Sequence, residues 1–361
     1  MSVGKIARPI LVFILPILLT ACGTVSTHST PPPPPGAHFA FVANLLSNTI
    51  STYTVDSQTG RLSPKDTVPA GGMNSRVIAV EPSGRFAYVG NIASDDISVF
   101  SIDGNTGSLT MVGTPVPAGN GPRFIVVGPT GNVLYSVNQD ANNITGFTIN
   151  QNTGALTPLR GTVTTDDMPV ALSFHPSGRF AYVLNGRSND ITVYAADNSG
   201  ALGLLGAVPA RTNPISITMH PSGKFAYVAN SGSNDITTFS IDPDTGGLTP
   251  LTPSAPTPIG GPTSVTVDSQ GRFAYVTNMT AGSVSVFSID AASGALTPTS
   301  TAPAGTDPVA LTLDDSGRFA YVANLSSDNI TQFSVDPTTG ALTQAGAPVI
   351  TGTGPVWVAL T

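Results

Sequence analysis

The sequence predicts an all-β protein, a seven-bladed β-propeller with four antiparallel strands in each blade. Three observations support this fold: the composition, an internal repeat and the way the repeat is cut at its two ends. Of 361 residues, 38 are Gly and 32 are Pro, whereas the chain has one Glu (Glu81) and three Lys. Glu and Lys favour helices, and Gly and Pro favour turns, so this composition argues against a helical or alternating α/β protein.

A short phrase ending in Asn repeats along the chain and sets the number of blades. Its best example is Gly271–Asn278, and the closing Asn returns every 45 to 48 residues. A period in this range with several short strands per unit is typical of a propeller. The closing asparagines, seven in all, are Asn44, Asn91, Asn138, Asn185, Asn230, Asn278 and Asn324.

Each repeat contains four candidate strands, called A to D in chain order. In the last full repeat these are Pro308–Leu313, Arg318–Val322, Ile330–Val335 and a strand that starts at Ala341–Thr343. Turns rich in Ser, Asn, Thr and Gly separate them, as expected for short antiparallel strands.

The two ends of the repeat region predict how the ring closes. The first unit begins at His38, already on a strand B, and lacks a strand A. The chain finishes with Val356–Leu360, which reads as a strand A without a strand B. We therefore expect the C-terminal strand to complete the first blade, because closure removes exposed sheet edges.

The residues before the repeats predict export and a lipid anchor. Residues 1–22 have Lys5 and Arg8 before a short apolar run and end in Leu-Thr-Ala-Cys, which resembles a bacterial lipobox with Cys22 as the lipidated residue. An ordinary signal peptide with a chance Cys is the alternative. Gly23 in place of Asp favours the outer membrane or the cell surface. Residues 23–37 contain five consecutive prolines and predict a stiff linker before the propeller at residues 38–361.

Charge and cysteine content limit the classes of partner. The formal net charge is −7, whereas a nucleic-acid-binding protein needs a basic face. Cys22 is the only cysteine, so a disulfide within the chain is ruled out and thiol catalysis is not expected. We predict a membrane partner through the anchor, no nucleic acid and no cofactor.

Residues that occur in every blade are expected to build the scaffold, and residues that occur once are candidates for function. Singular polar residues concentrate where strands A begin and strands B end, which in a propeller lie on one face around the channel mouth. The sequence predicts five ligand-binding residues, namely Arg76, Arg123, Gln139, Asp140 and Arg187. The catalytic candidates are Arg123, Gln139, Asp140 and Asp167. The planar guanidinium group of arginine carries several hydrogen-bond donors, which suit an anionic or polyhydroxylated ligand. The alternative is that these polar residues occur in the loops by chance and have no role in binding or catalysis.

Two histidines are the other titratable residues that could bind a ligand. His175 and His220 both precede Pro-Ser-Gly at the turn between strands A and B. Equivalent turns carry acidic residues, but these turns fan out around the ring. We therefore expect a solvated or turn-bonding role and predict no metal site.

The units resemble the YVTN-type propeller repeat, which stands literally at Tyr275–Asn278. They are also similar to the lactonase family of seven-bladed propellers, which includes 6-phosphogluconolactonase-like and muconate-lactonising enzymes. The resemblance covers residues 38–361. It implies a functional signature of Gly-Pro-Arg-His opening a strand A and Asn-Glu ending the next strand B. Here the matching residues are Gly121–Phe124 and Asn138–Gln139, so Arg123 matches whereas Phe124 and Gln139 replace the His and Glu.

These departures leave two hypotheses about function. A Phe cannot move protons and a Gln amide cannot act as a carboxylate base. The first hypothesis is therefore a lipid-anchored cell-envelope propeller that binds a small polar or anionic ligand, or a protein partner, at the channel mouth. The alternative is a lactone hydrolase, a carboxylic ester hydrolase of 6-phosphogluconolactonase-like type with an altered catalytic set, in which Arg123 polarises the carbonyl and Asp140 or Asp167 activates water.

Overall fold

The computed structural model describes residues 38–256 and 260–361. The predicted signal segment, the Cys22 anchor and the linker at residues 23–37 lie outside these residues. The described part of the chain forms strands and turns, and none of it is a helix long and apolar enough to cross a membrane.

The strands form seven antiparallel sheets, one per blade, in the order A-B-C-D. From blade one to blade seven, strands A are Pro355–Leu360, Ser75–Val80, Pro122–Val127, Pro169–Phe174, Pro214–Met219, Pro262–Val267 and Pro308–Leu313. Strands B are His38–Asn44, Phe86–Asn91, Val133–Asn138, Phe180–Asn185, Phe225–Asn230, Phe273–Asn278 and Phe319–Asn324.

The outer half of each blade is made by strands C and D. Strands C are Thr49–Val55, Asp96–Ile102, Asn143–Ile149, Asp190–Ala196, Asp235–Ile241, Ser283–Ile289 and Asn329–Val335. Strands D are Leu62–Pro69, Leu109–Met111 with Val116–Pro117, Leu156–Thr164, Leu202–Pro209, Leu248–Pro256, Leu296–Pro303, and Leu342–Gln344 with Val349–Ile350. The strand D of blades two and seven is thus split into two short pieces.

The seven blades close into a ring, which confirms the fold predicted from the sequence. The C-terminal strand pairs with strand B of blade one, with Val42 opposite Val358. Each strand A contacts the strands A of the two neighbouring blades, and blade seven contacts Pro355–Leu360 in the same way. Strands A therefore surround the central axis, and the first blade combines both ends of the described chain.

Neighbouring blades interlock through an aromatic ring and a glycine. The Gly of each turn between strands C and D has a positive φ, for example 67° at Gly60. A Cβ added there would lie 2.3 Å from the ring of Phe319, which comes from strand B of the preceding blade. A residue with a side chain would therefore clash with the ring. Five further pairs repeat this contact: Phe39 with Gly107, Phe86 with Gly154, Phe180 with Gly246, Phe225 with Gly294 and Phe273 with Gly340.

A buried tyrosine adds a hydrogen bond to the same turn. The hydroxyl of Tyr88 donates to the carbonyl of Gly154 in the next blade at 3.1 Å, and Tyr321 of blade seven donates to Gly60 of blade one at 2.8 Å. Tyr135, Tyr182 and Tyr227 make the same bond. These bonds satisfy hydroxyl groups between the sheets, where a lone polar group is costly.

The repeated asparagines fasten strands B to strands C, as their presence in every blade suggests. All seven are fully buried. The side-chain amide of Asn91 donates to Asp96 Oδ1 at 2.8 Å and to Ser98 Oγ at 2.9 Å. Related bonds recur around the ring, for example from Asn324 to Thr331. These asparagines are therefore parts of the scaffold.

Deletion of Val356–Leu360 is expected to open the ring. It removes the pairing partner of strand B in blade one together with the buried side chains of Val356 and Val358. We expect the melting temperature to fall by at least about 10 °C, or the protein to aggregate, because several buried apolar groups are lost at once. The melting temperature is measured by monitoring thermal unfolding with circular dichroism. An unchanged melting temperature would contradict closure by the C-terminal strand.

Candidate functional site

Each blade carries a β-bulge at the second residue of strand A. In blade three Val137 lies opposite Phe124 and Asn138 lies opposite Pro122, so Arg123 is the extra residue. A bulge bends its strand and changes the direction of the extra side chain. The bulged residues from blade one to blade seven are Val356, Arg76, Arg123, Val170, Ile215, Thr263 and Val309. Only blades two and three place a charge at this position.

Arg123, Gln139 and Asp140 form a continuous chain of polar contacts in blade three. Arg123 Nη1 donates to Gln139 Oε1 at 2.8 Å. The amide nitrogen of Gln139 donates in turn to Asp140 Oδ1 at 3.1 Å. The guanidinium is therefore hydrogen-bonded to a neutral amide, and the carboxylate lies one step further away.

Two loops of blade three hold this chain in place. The backbone N–H of Gln139 donates to the carbonyl of Gly121 at 2.7 Å, and that of Asp140 donates to Asn120 at 3.2 Å. Gly121 has a φ of 68°, and a Cβ there would lie 2.6 Å from the carboxylate of Asp140. Asp95 of blade two accepts the N–H of Gly121 at 2.7 Å. The loops before strand A and after strand B thus meet at one rim, as predicted.

Arg76 and Arg123 form a pair of poorly compensated cations on neighbouring blades. Both side chains are half-buried. Burial lowers the pKa of Arg76, and burial together with the positive charge of Arg76 lowers the pKa of Arg123 to about 9, against the opposing effect of Asp140. Within the described residues, Arg76 has neither a hydrogen-bond partner nor an ion-pair partner. A bound anion would stabilise the charged form of both side chains.

An aromatic pair lies next to the arginines in the central channel. The rings of Phe124 and Trp357 meet edge to face, with centroids 5.6 Å apart and planes at 81°. Phe124 belongs to blade three and Trp357 to blade one, so the contact crosses the inner strand of blade two. Both side chains are only half-buried. Trp357 is the only tryptophan in the sequence, and no sequence pattern predicted this contact.

Arg187 and Asp167 are placed differently from the other candidates. Their side chains pair with each other at 3.3 Å in blade four and are 68% and 44% exposed. Each charge thus has its own partner on the solvent side of the rim. The structure brings Arg76, Arg123, Gln139 and Asp140 together, and it leaves Arg187 and Asp167 as a separate exposed pair.

The two histidines link neighbouring blades. His175 Nε2 lies 2.9 Å from the carbonyl of Gly223, and His220 Nε2 lies 2.9 Å from the carbonyl of Gly271. The other ring nitrogen of each contacts a Ser hydroxyl two residues later at 2.7 Å. These contacts agree with the predicted turn-bonding role. Among the described residues, no group of three or more potential ligand residues could hold a metal ion.

The same rim carries an open polar recess of about 430 Å³ between blades six and seven. Met279, Thr306, Asp307 and Asn329 are among the residues that line it. Asp307, its only ionisable lining residue, accepts a hydrogen bond from Ser326. This recess lacks the cations and aromatic rings of the site at blades two and three.

Solved structures confirm the architecture. A periplasmic gluconolactonase of Pseudomonas aeruginosa is 19% identical, with a TM-score of 0.80 over 90% of this chain and 99% of that one. A Bacteroides uniformis protein, provisionally described as a 6-phosphogluconolactonase, is 20% identical, with a TM-score of 0.80 over 90% of this chain and 99% of that one. A Bacteroides fragilis protein with the same provisional description is 21% identical, with a TM-score of 0.79 over 92% of this chain and 99% of that one. At these identities the likeness shows the fold.

The sequence itself identifies the family. No curated protein sequence matches this one closely enough to count as a relative. The model of the seven-bladed β-propeller lactonase family matches residues 34–174, 116–267 and 254–360. Together these matches span all seven repeats, and so the chain belongs to the lactonase family of seven-bladed β-propellers.

Proposed function

We propose that the protein binds an anionic, polyhydroxylated ligand of the sugar-acid class, or the corresponding lactone, at the channel mouth of blades two and three. The observation that carries this proposal is the pair of half-buried cations, Arg76 and Arg123, which face only a neutral amide and a more distant carboxylate. A carboxylate or phosphate supplies the missing negative charge, and hydroxyl groups can exchange hydrogen bonds with Gln139 and Asp140.

Binding without turnover is the form of this function that the side chains favour. Phe124 has no proton to transfer and lies against Trp357. Gln139 is neutral and already accepts a hydrogen bond from Arg123. The site thus has groups that recognise a ligand but lacks, at these two positions, the acid and base that hydrolysis by the family's usual route would use.

Lactone hydrolysis is the second candidate, and membership of the lactonase family favours it. In a rearranged set, Arg123 would polarise the lactone carbonyl and Asp140 would activate a water molecule. Asp140 suits this role better than Asp167, since it is linked to Arg123 through Gln139 whereas Asp167 pairs with Arg187. Attack of water on the carbonyl carbon would open the ring and give the hydroxy acid.

We also propose that the protein is tethered to the cell envelope, with the outer membrane or surface as its location, through lipidated Cys22. The support is the lipobox-like ending of residues 1–22 and the proline-rich segment that follows. A tether of this kind would hold the propeller outside the cytoplasm, where a binding protein for sugar acids could meet extracellular ligands.

Replacing either arginine is expected to weaken binding of gluconate and glucuronate by about 10-fold or more, because each removes charge-assisted hydrogen bonds to the anion. Isothermal titration calorimetry on purified Arg76→Ala and Arg123→Ala proteins measures the dissociation constants. Arg187→Ala is the matched control, since this arginine lies on the same rim but is paired with Asp167. Equal affinity in all three variants and the wild type would contradict the proposed site.

A lactone panel that includes 6-phosphogluconolactone separates binding from catalysis. We expect the wild-type protein to give no turnover above spontaneous hydrolysis, and the double variant Phe124→His, Gln139→Glu to gain it, because His and Glu can transfer protons. Product acid is measured by titration at constant pH. Wild-type turnover that disappears in Arg123→Ala would instead establish the second candidate.

The anchor is tested by metabolic labelling of bacterial cells with radioactive palmitate. We expect the wild-type chain to carry label and to sediment with membranes, and the Cys22→Ala chain to carry none, since Cys22 is the only thiol in the sequence. Equal labelling of the two chains would exclude Cys22 as the lipidated residue.

A further inference from the structure

We propose that Trp357 is a specificity residue that stacks on the ring of a cyclic sugar acid, so that the site prefers a pyranose carrying a carboxylate over an open-chain sugar acid. This inference rests on the proposed binding of sugar acids. The observation behind it is the half-buried Trp357–Phe124 pair one residue further along strand A than the arginine position.

The positions of Phe124 and Trp357 along strand A determine how deep the aromatic pair lies in the channel. Arg123 and Phe124 are consecutive residues, and Trp357 and Phe124 hold the same third position of strand A in blades one and three. One residue of a strand advances by roughly 3.3 Å. The aromatic pair therefore lies one strand position deeper than the two arginines, and we infer that a ligand whose charge is bound by Arg76 and Arg123 brings its body onto these rings.

The inner wall is aromatic on one side and small on the other. The third residues of strands A in blades four to seven are Ala171, Ser216, Ser264 and Ala310. In blade two, between the two aromatic residues, the third residue is Val77, which belongs to the buried cluster that Phe124 and Trp357 pack against. The large rings thus extend into the channel from one side, and short side chains leave room opposite them.

Such an asymmetric wall fits a flat ligand ring. A pyranose has faces of axial C–H groups, which pack against an aromatic ring, and hydroxyl groups at its edge. An open-chain sugar acid also has a carboxylate and hydroxyl groups, but it has no such face. The arginines would bind both ligands through the carboxylate, and Trp357 would distinguish them. Phe124 acts as a positioning residue, since its contact with Trp357 restricts the orientation of the indole.

The experiment compares glucuronate, a pyranose acid, with gluconate, an open-chain sugar acid with the same charge and the same number of carbon atoms. In the wild-type protein we expect glucuronate to bind about five- to tenfold more tightly by calorimetry, the scale of an aromatic contact. Because Trp357 is the only tryptophan, we also expect glucuronate to change the intrinsic fluorescence at saturation by more than gluconate does.

Two variants test the residue itself. Trp357→Leu, which keeps an apolar side chain but no aromatic face, is expected to bind the two acids equally, whereas Trp357→Phe retains part of the preference. Circular dichroism melting curves show whether each variant is folded, and the fluorescence comparison needs no variant. Equal affinity of the wild type for both acids, or an unchanged preference in a folded Trp357→Leu protein, would overturn the inference. Failure of both acids to bind would instead refute the proposed function.

Discussion

The interlock between neighbouring blades is the contact on which the rest of the molecule depends. A Phe ring from one blade occupies the space above a Gly in the next, and a Tyr hydroxyl bonds to the same turn in most blades. Because the Gly needs a positive φ and has no room for a Cβ, the sequence keeps a Gly at this turn in every blade and a Phe facing it in six of the seven pairs, with Val133 facing Gly200 in the seventh. The repeat in the sequence therefore reflects a packing requirement between sheets more than a requirement within each sheet.

The interlock between blades leaves the second residue of each strand A free to vary. The Phe–Gly interlock lies on strands B and in the turns between strands C and D, whereas the bulged residue lies at the start of strand A and takes no part in that interlock. Valine, isoleucine, threonine and arginine all occupy this position. Placing Arg76 and Arg123 there costs the scaffold little, but it concentrates two positive charges in a protein whose formal net charge is −7.

Comparison of the seven repeats with one another predicted the fold and part of the site. The period, the four strands and the closing strand are local or periodic properties, and all of them are confirmed. The link between Arg123 and Gln139 was also foreseeable, because both residues stand at one end of paired strands. The Trp357–Phe124 contact was not, since it joins blades one and three past the inner strand of blade two and depends on how far each ring reaches. Nor did the sequence show that Arg187 and Asp167 would pair with each other.

The closing strand has a consequence for when the site can exist at all. Trp357 lies on the C-terminal strand, which follows blade seven in the chain and pairs with strand B of blade one. The aromatic pair is consequently absent from a chain that lacks this strand, although such a chain still contains Arg76, Arg123 and Gln139. The proposed ring selectivity therefore requires that strand B of blade one has paired with the C-terminal strand, and ligand recognition would report on closure of the ring.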